Sequence, residues 1–349
     1  MSRSVLAPLL AVALSAGSGG VAAAQSAATP PPTPRFFDRE TPLVATLAAD
    51  LGRLRADTAD RAPWRPATLA LADAGGAATA LRVRTRGVSR LRRCGFPPLR
   101  LDVPREAGHA GALAGLDEPK LVSVCQDDDR GEQWLRQELQ LYRIYALLTP
   151  VGHRARLLRL TYADAAAGGR PLMTRDAFLF DEAAALAGRV GGTLVAETGV
   201  TADLLDADAA ALMAVFQYLI GNTDWSVAAL HNIELVRVGD RLHPVPYDFD
   251  LAGAVDAAYA LPSSQLPIRR VRDRLFRGAC LSPEAYARAF ALFAARREAI
   301  VALYHDEIGR RLAPRAVEET LRYFDEFYRT IADPQAAQRA ITGACVPGE

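Results

Sequence analysis

The sequence predicts an α+β fold of two lobes, with a β-rich N-terminal lobe that carries one long helix and a mainly helical C-terminal lobe. Up to residue 127, apolar and polar residues alternate in short runs separated by turn residues, which is the pattern of strands. After residue 250, the apolar residues recur with helical spacing. The chain has 349 residues, 50% of them hydrophobic, which is enough to build two lobes.

The elements follow from local patterns and from the residues that end them. Strands are predicted at residues 67–72, 80–85, 98–103, 120–125, 154–162 and 171–180. Helices are predicted at residues 132–148, 181–192, 206–220, 283–309 and 314–331. A strand at Ile233–Val238 turns back at Gly239-Asp240 as a hairpin. Residues 42–55 mix strand and helix signals and are left unassigned.

The N-terminus resembles a secretory signal over residues 1–24. Arg3 supplies the positive end, Val5–Leu14 is a short apolar run, and Ala22-Ala23-Ala24 offers a small-residue cleavage site. A Pro/Ala-rich linker is predicted at 25–35, the N-terminal lobe at 36–182 and the C-terminal lobe at 183–349. No later apolar run is long enough to span a bilayer. We therefore expect an exported protein, periplasmic or extracellular.

Charge and cysteine content agree with export and restrict the partners. The net charge of +1 gives no electrostatic reason to expect nucleic acid as a partner. Four cysteines in an oxidising compartment indicate two disulfides, for which three pairings are possible. Cys94–Cys125 with Cys280–Cys345 is favoured, because each pair then lies within one half of the chain. A zinc site is disfavoured because no C-x-x-C spacing exists.

The main candidate site lies in residues 219–251. Asp224 sits in the loop before the hairpin, Asn232 opens the hairpin, and Asp248 and Asp250 close it. A hairpin brings its two ends together, so Asn232 and Asp248 are expected to lie close, with Asp224 nearby. Acid, amide and acid around one space suit phosphoryl transfer, which needs a base and oxygen ligands for Mg²⁺ or Mn²⁺.

Two residues of the predicted β-rich lobe complete this hypothesis. Lys120 is the only lysine among 41 basic residues, so either it has a role that arginine cannot fill or it persists by chance. Glu138 lies within the apolar stripe of the helix at 132–148 and needs a partner. That partner is either an arginine, such as Arg136, or Lys120 one strand earlier.

The order Lys120, Glu138, Asp224, Asn232, Asp248 is that of the working parts in protein kinases. Two features differ from ordinary kinases. No G-x-G-x-x-G loop is present, and the turn Arg86-Gly87-Val88-Ser89-Arg90 is the candidate replacement, with Arg86, Gly87 and Ser89 contacting phosphate. The spacing from Asp224 to Asn232 is eight residues, which makes a longer loop than usual.

Both differences point to one family, since the chain resembles the CotH kinases, atypical kinase-fold proteins named for a spore-coat protein. The similar segments, within about residues 68–253, are Leu81–Arg90, Leu99–Val103, Trp134–Arg136, Asn222–Leu235 and Tyr247–Leu251. Residues 219–224 (LIGNTD) are also similar, more distantly, to HipA-type kinases. The sequence departs from the CotH pattern at Val88, where that pattern has Asn, and at His231, where it often has Asn.

The resemblance implies a bilobal protein-kinase-like fold and transfer of the γ-phosphoryl group of ATP to a protein Ser or Thr. It implies Asp224, Lys120 and Glu138 as catalytic residues, and Lys120, Arg86, Gly87 and Ser89 as nucleotide contacts. Asn232, Asp248 and Asp250 would hold Mg²⁺ or Mn²⁺. The alternative function is a catalytically inactive kinase-fold protein that acts as a binding or adaptor protein of the cell envelope or surface. The sequence does not predict an oligomeric state.

Overall fold

The β-rich half of the chain closes into a barrel in the computed structural model. The structure describes residues 35–57, 62–72, 75–87, 89–109 and 111–347. The predicted signal sequence at 1–24 and nearly all of the predicted linker therefore lie outside the described residues. The side chain of Ser89, a predicted phosphate contact, also lies outside them.

Seven strands form the closed barrel, in the spatial order β1-β2-β3-β4-β5-β7-β6. Their bounds are β1 Leu43–Ala49, β2 Arg65–Leu71, β3 Ala78–Thr85, β4 Leu99–Asp102, β5 Lys120–Val122, β6 Ala155–Asp164 and β7 Arg170–Phe180. The pair β1–β6 is parallel and the other neighbours are antiparallel, so the barrel is mixed. The six strands predicted from local patterns are all present, with boundaries shifted by a few residues.

The prediction of a bilobal kinase-like fold is wrong. The β-rich half is a closed seven-stranded mixed barrel and not the β-rich lobe of a kinase-like fold. The cause is β1, which lies in the segment that carried mixed signals. Its alternate residues are buried, and it pairs with both β2 and β6. Because β1 occupies the edges that both neighbours would otherwise leave unpaired, the sheet has no free edge there.

The rest of the chain supplies helices and a second, three-stranded sheet. The helices are α1 Leu51–Ala56, α2 Ser89–Arg93, α3 Arg105–His109, α4 Asp129–Leu148, α5 Ala183–Arg189, α6 Ala207–Ile220, α7 Pro283–Ala302, α8 Pro314–Ala332 and α9 Pro334–Ala337. The small sheet has the order β10-β9-β8, with β8 Thr193–Val195, β9 Ile233–Val238 and β10 Arg241–Pro246. The predicted hairpin is β9–β10. The helix predicted at 283–309 ends at Ala302.

Two large apolar cores hold these parts together. One fills the barrel, with buried residues such as Leu47, Leu69 and Leu160. The other packs α4 against α6, α7 and α8. Asp128 is the N-cap of helix α4, and its carboxylate accepts the Gly131 N–H at 2.8 Å. Since α4 also contacts β6 and β7, it joins the barrel to the helices.

The favoured disulfide pairing is confirmed, with bonds Cys94–Cys125 and Cys280–Cys345. The first bond ties the end of α2 to the segment after β5. The second ties the segment before α7 to the C-terminal end of the described chain. Two disulfides are consistent with a protein of an oxidising compartment. Among the residues that the structure describes, no helix is both long and apolar enough to cross a bilayer.

Loss of the Cys94–Cys125 bond is expected to destabilise the protein by about 3–4 kcal/mol, the loop-entropy value for a closure of this length. The bond closes a separation of 31 residues. The double variant Cys94→Ala/Cys125→Ala, unfolded in urea beside wild type, measures this loss. Alkylation of the native protein without reductant should modify no cysteine. Modification of both Cys94 and Cys125 under these conditions would contradict the bond.

Candidate functional site

A cleft of about 1090 Å³ lies between the barrel strands β3–β5 and the ends of the β9–β10 hairpin. It brings together most of the predicted site residues, namely Arg86, Gly87, Lys120, Asp224, Asn232, Asp248 and Asp250. Arg84, Arg93 and Arg100 add positive charge to the same wall. Glu138 does not line the cleft and lies buried behind it. The cleft therefore has a basic side from the barrel and an acidic side from the hairpin.

The hairpin positions the acidic side as predicted. Ile233 pairs with Pro246, and the Tyr247 N–H donates to the Asn232 carbonyl at 3.1 Å, so the two ends meet. Asn232 and Asp248 both have left-handed backbone, with φ of 53° and 61°. Asn and Asp tolerate this conformation better than other side-chain-bearing residues. Such backbone tends to occur at functional sites, and here it turns both residues at the cleft.

Asp224 is held by its two neighbours in the loop. His231 Nε2 lies 2.9 Å from Asp224 Oδ1, and Asn232 Nδ2 donates to Asp224 Oδ2 at 3.0 Å. Asn232 Nδ2 also lies 2.8 Å from the Asp224 carbonyl. The Asp224 side chain is 39% exposed. A fixed carboxylate that solvent reaches is able to accept a proton from a ligand hydroxyl.

Arg90 is the residue of this region that sequence reasoning missed. Its guanidinium is buried and lies 3.0 Å from Glu138, 2.9 Å from Asp250 and 3.5 Å from Asp248. Burial raises the pKa of Glu138 and of Asp250, while the charge of Arg90 opposes both shifts. The turn that contains Arg90 was expected to contact phosphate through Arg86, Gly87 and Ser89. Arg90 instead neutralises Glu138 behind the cleft and Asp248 and Asp250 on its acidic side.

Lys120 does not pair with Glu138, and that prediction is wrong. Lys120 Nζ lies 3.1 Å from Glu234 on β9 and 4.1 Å from the centre of the Tyr247 ring. Burial lowers the pKa of Lys120, Glu234 opposes the shift, and the nearby arginines add to it. The partner of Glu138 is an arginine, as the alternative held, but it is Arg90 rather than Arg136.

Arg86 lines the cleft with a hydrogen-bond donor that an anionic ligand could use. Its Nε is buried and has no hydrogen-bond acceptor among the described residues. Its guanidinium lies beside the Phe180 ring, 5.8 Å from the ring centre, and it lines the cleft. A buried donor without an acceptor is costly, so a phosphate or carboxylate oxygen in the cleft would satisfy it.

The acidic side has the donors for one divalent cation bound together with phosphate. No cluster of three or more His, Cys, Asp or Glu side chains in the described part of the chain is arranged as a metal site. Mg²⁺, however, is commonly held by one or two carboxylates together with substrate phosphates and water. The Asp248 side chain is 30% exposed, and the amide of Asn232 lies on the same cleft. Asp250 is bound by Arg90 and is the poorer ligand.

A scan against protein-family models found no match, and a search of curated proteins found no relative. The resemblance to CotH kinases therefore stays a prediction. The proposed function therefore rests on the geometry of the site.

Replacing Arg90 is expected to be strongly destabilising. In Arg90→Ala, three carboxylates lose their shared cation, which should cost about 3–5 kcal/mol at pH 7.5. The loss should be smaller at pH 5, because burial already raises the pKa of Glu138 and of Asp250, and protonation removes their repulsion. Urea unfolding at both pH values measures these changes.

The matched control for Arg90→Ala is Arg315→Ala, which removes an exposed pair with Glu319. It should change the free energy of unfolding by less than about 1 kcal/mol. Equal losses in the two variants would show that Arg90 does not hold the carboxylates together.

Proposed function

We propose that the cleft binds ATP with Mg²⁺ or Mn²⁺ and transfers its γ-phosphoryl group to a Ser or Thr hydroxyl of a protein substrate. The supporting observation is that Lys120 and Arg86 line the same cleft as Asp224, Asn232 and Asp248. Phosphoryl transfer needs cationic groups for the phosphates, oxygen ligands for a divalent cation and a base near the acceptor hydroxyl. The described residues of this cleft provide each of these groups.

In this proposal each residue has one task. Lys120 and Arg86 would bind phosphate oxygens from the basic side. Asp248 and Asn232 would hold the divalent cation, which neutralises charge on the phosphate oxygens when bound. Asp224 would orient the acceptor hydroxyl and accept its proton, while His231 and Asn232 keep its carboxylate in place.

The proposal includes export and a periplasmic or extracellular location. The two disulfides support an oxidising compartment. The segment at residues 1–24 supports export from the sequence side. The similarity to CotH motifs around Asp224 and Asp248 supports the chemistry, although the barrel departs from the fold that the family implies.

A second candidate is a non-catalytic protein that binds a phosphate-bearing or acidic ligand at the cell envelope. Arg90 contacts both Asp248 and Asp250, and so already supplies positive charge where a divalent cation would act. Outside the cytoplasm ATP is also scarce. In this case the basic side of the cleft would bind its ligand without a metal ion.

Two isosteric variants separate the assigned roles. Asp248→Asn should abolish the metal-dependent rise in melting temperature that ATP produces, because it removes a charge from the cation site. Its fold should persist, because the one ion pair of the Asp248 carboxylate among the described residues is the long contact with Arg90, at 3.5 Å. Asp224→Asn should change the affinity for ATP by less than about threefold, within 0.7 kcal/mol, and reduce phosphoryl transfer by about 10² or more.

The control is Asp240→Asn, at the exposed turn of the β9–β10 hairpin, which should alter neither property. The assignment is reversed if Asp224→Asn destroys binding while Asp248→Asn preserves it. A rise in melting temperature with ATP that needs no metal and leads to no transfer would favour the binding protein. No response of wild type to ATP with either metal would contradict the kinase proposal.

A further inference from the structure

Lys120 is one end of a buried chain of alternating charges. Lys120 Nζ lies 3.1 Å from Glu234 Oε1, and Glu234 Oε2 lies 2.9 Å from His153 Nε2. His153 Nδ1 then lies 3.0 Å from Asp181 Oδ1. Glu234 thus contacts both Lys120, which lines the cleft, and His153, which does not. Neither His153 nor Asp181 lines the cleft.

The two flanking carboxylates favour the imidazolium form of His153. Its ring is fully buried and has a carboxylate oxygen beside each nitrogen. Only the charged ring carries a proton on both nitrogens, so it faces both carboxylates with positive charge. Burial by itself would lower the pKa of His153, but Glu234 and Asp181 together raise it to about 9. The chain therefore reads minus, plus, minus, plus from Asp181 to Lys120.

The far end of the chain is fixed to the barrel. The Asp181 carboxylate is buried and accepts the backbone N–H of Arg154 at 2.8 Å. It also accepts the guanidinium of Arg189 at 3.1 Å. Asp181 follows β7, Glu234 lies on β9 and Lys120 lies on β5. The chain thus connects the barrel to the small sheet at the level of the cleft.

We propose that His153, held between Asp181 and Glu234, is a positioning residue that sets the place and charge of Lys120 for a phosphate-bearing ligand. Lys120 has no other carboxylate partner among the described residues, so its position depends on Glu234. Glu234 in turn depends on His153. The inference rests on the proposed phosphate-binding role of the cleft, but the chain itself is testable without any ligand.

The pKa of Lys120 depends on the charged groups and rings around its ammonium group. These are Glu234 from β9, Arg86 after β3, Arg100 from β4, Phe180 from β7 and Tyr247 after β10. Glu234 is the one anion of this set. Removing Glu234 and removing His153 should therefore act on the lysine in opposite directions, because one deletes a negative charge and the other a positive charge.

The first experiment uses the fact that Lys120 is the only lysine in the chain. The rate at which an amine reagent modifies its side chain, read by peptide mass spectrometry between pH 7 and 10, reports its pKa. Glu234→Gln should speed modification at pH 8, and His153→Gln should slow it, each by about threefold or more for a shift of half a pKa unit. His305→Gln, at an exposed histidine, is the matched control and should match wild type.

The second experiment measures binding of inorganic pyrophosphate by calorimetry. Between pH 6 and pH 8, Glu234→Gln should lose more affinity for pyrophosphate than wild type does, because more of its lysine is neutral at pH 8. His153→Gln should lose affinity at both pH values, because Glu234 then pairs with Lys120 alone. A purely structural role would lower melting temperature without producing this difference in pH profile.

The modification rates test the positioning chain, and pyrophosphate binding also tests the proposed function. Equal modification rates in wild type and both variants, or rates that shift in the same direction, overturn the positioning chain. Wild-type binding of pyrophosphate that neither variant changes also overturns it. If wild type binds no pyrophosphate while the rates shift as expected, the chain stands and the proposed function fails. Glu234→Gln is isosteric and tests the link between Glu234 and Lys120 by itself, and an unchanged modification rate in this variant alone overturns the chain.

Discussion

The site depends on one buried cation, Arg90. Its guanidinium contacts carboxylates that are 48 and 160 residues away in the chain, Glu138 on α4 and Asp250 after β10. Three acids this close would repel each other and take up protons unless a cation lay between them. Arg90 therefore allows α4 and the end of the hairpin to approach. The Cys94–Cys125 bond, four residues further on, ties the short helix that carries Arg90 to the barrel.

Lys120 and Glu138 were expected to form one ion pair, but each has a different partner on a different side of the cleft. Arg90 neutralises Glu138 behind the acidic side, whereas Lys120 is paired with Glu234 on the basic side. Lys120 lines the cleft beside Glu234 and the Tyr247 ring. The acidic side keeps Asp224 and Asp248 within reach of solvent. The result is a cleft with both the cations and the carboxylates that a phosphate–metal ligand would need.

Sequence patterns over short stretches predicted the individual strands, the long helices and the hairpin. Strands, long helices and the hairpin were read from spacing, and the hairpin placed Asn232 and Asp248 correctly because its ends meet within sixteen residues. Closure of the barrel was missed, since Leu43 pairs with Leu158 in a parallel register that leaves no local signal. Arg90 was missed because 40 of the 41 basic residues are arginine, so nothing in the sequence marks one as buried. Only the carboxylate Glu138 in an apolar stripe signalled that some cation was needed.

The division between arginine and lysine follows from how each side chain titrates. Arginine stays charged in any protein environment, so it suits Arg90, whose loss of charge would leave the buried Glu138 and Asp250 and the partly exposed Asp248 unbalanced. Lysine changes its pKa when buried, so its charge can be set by its neighbours. Lys120 is the position where burial and two arginines oppose one carboxylate. An arginine there would keep its charge whatever His153 and Glu234 did, and the chain behind it would have nothing to control. A single lysine at the end of that chain, in a protein this rich in arginine, agrees with a role that needs a pKa which its neighbours can change.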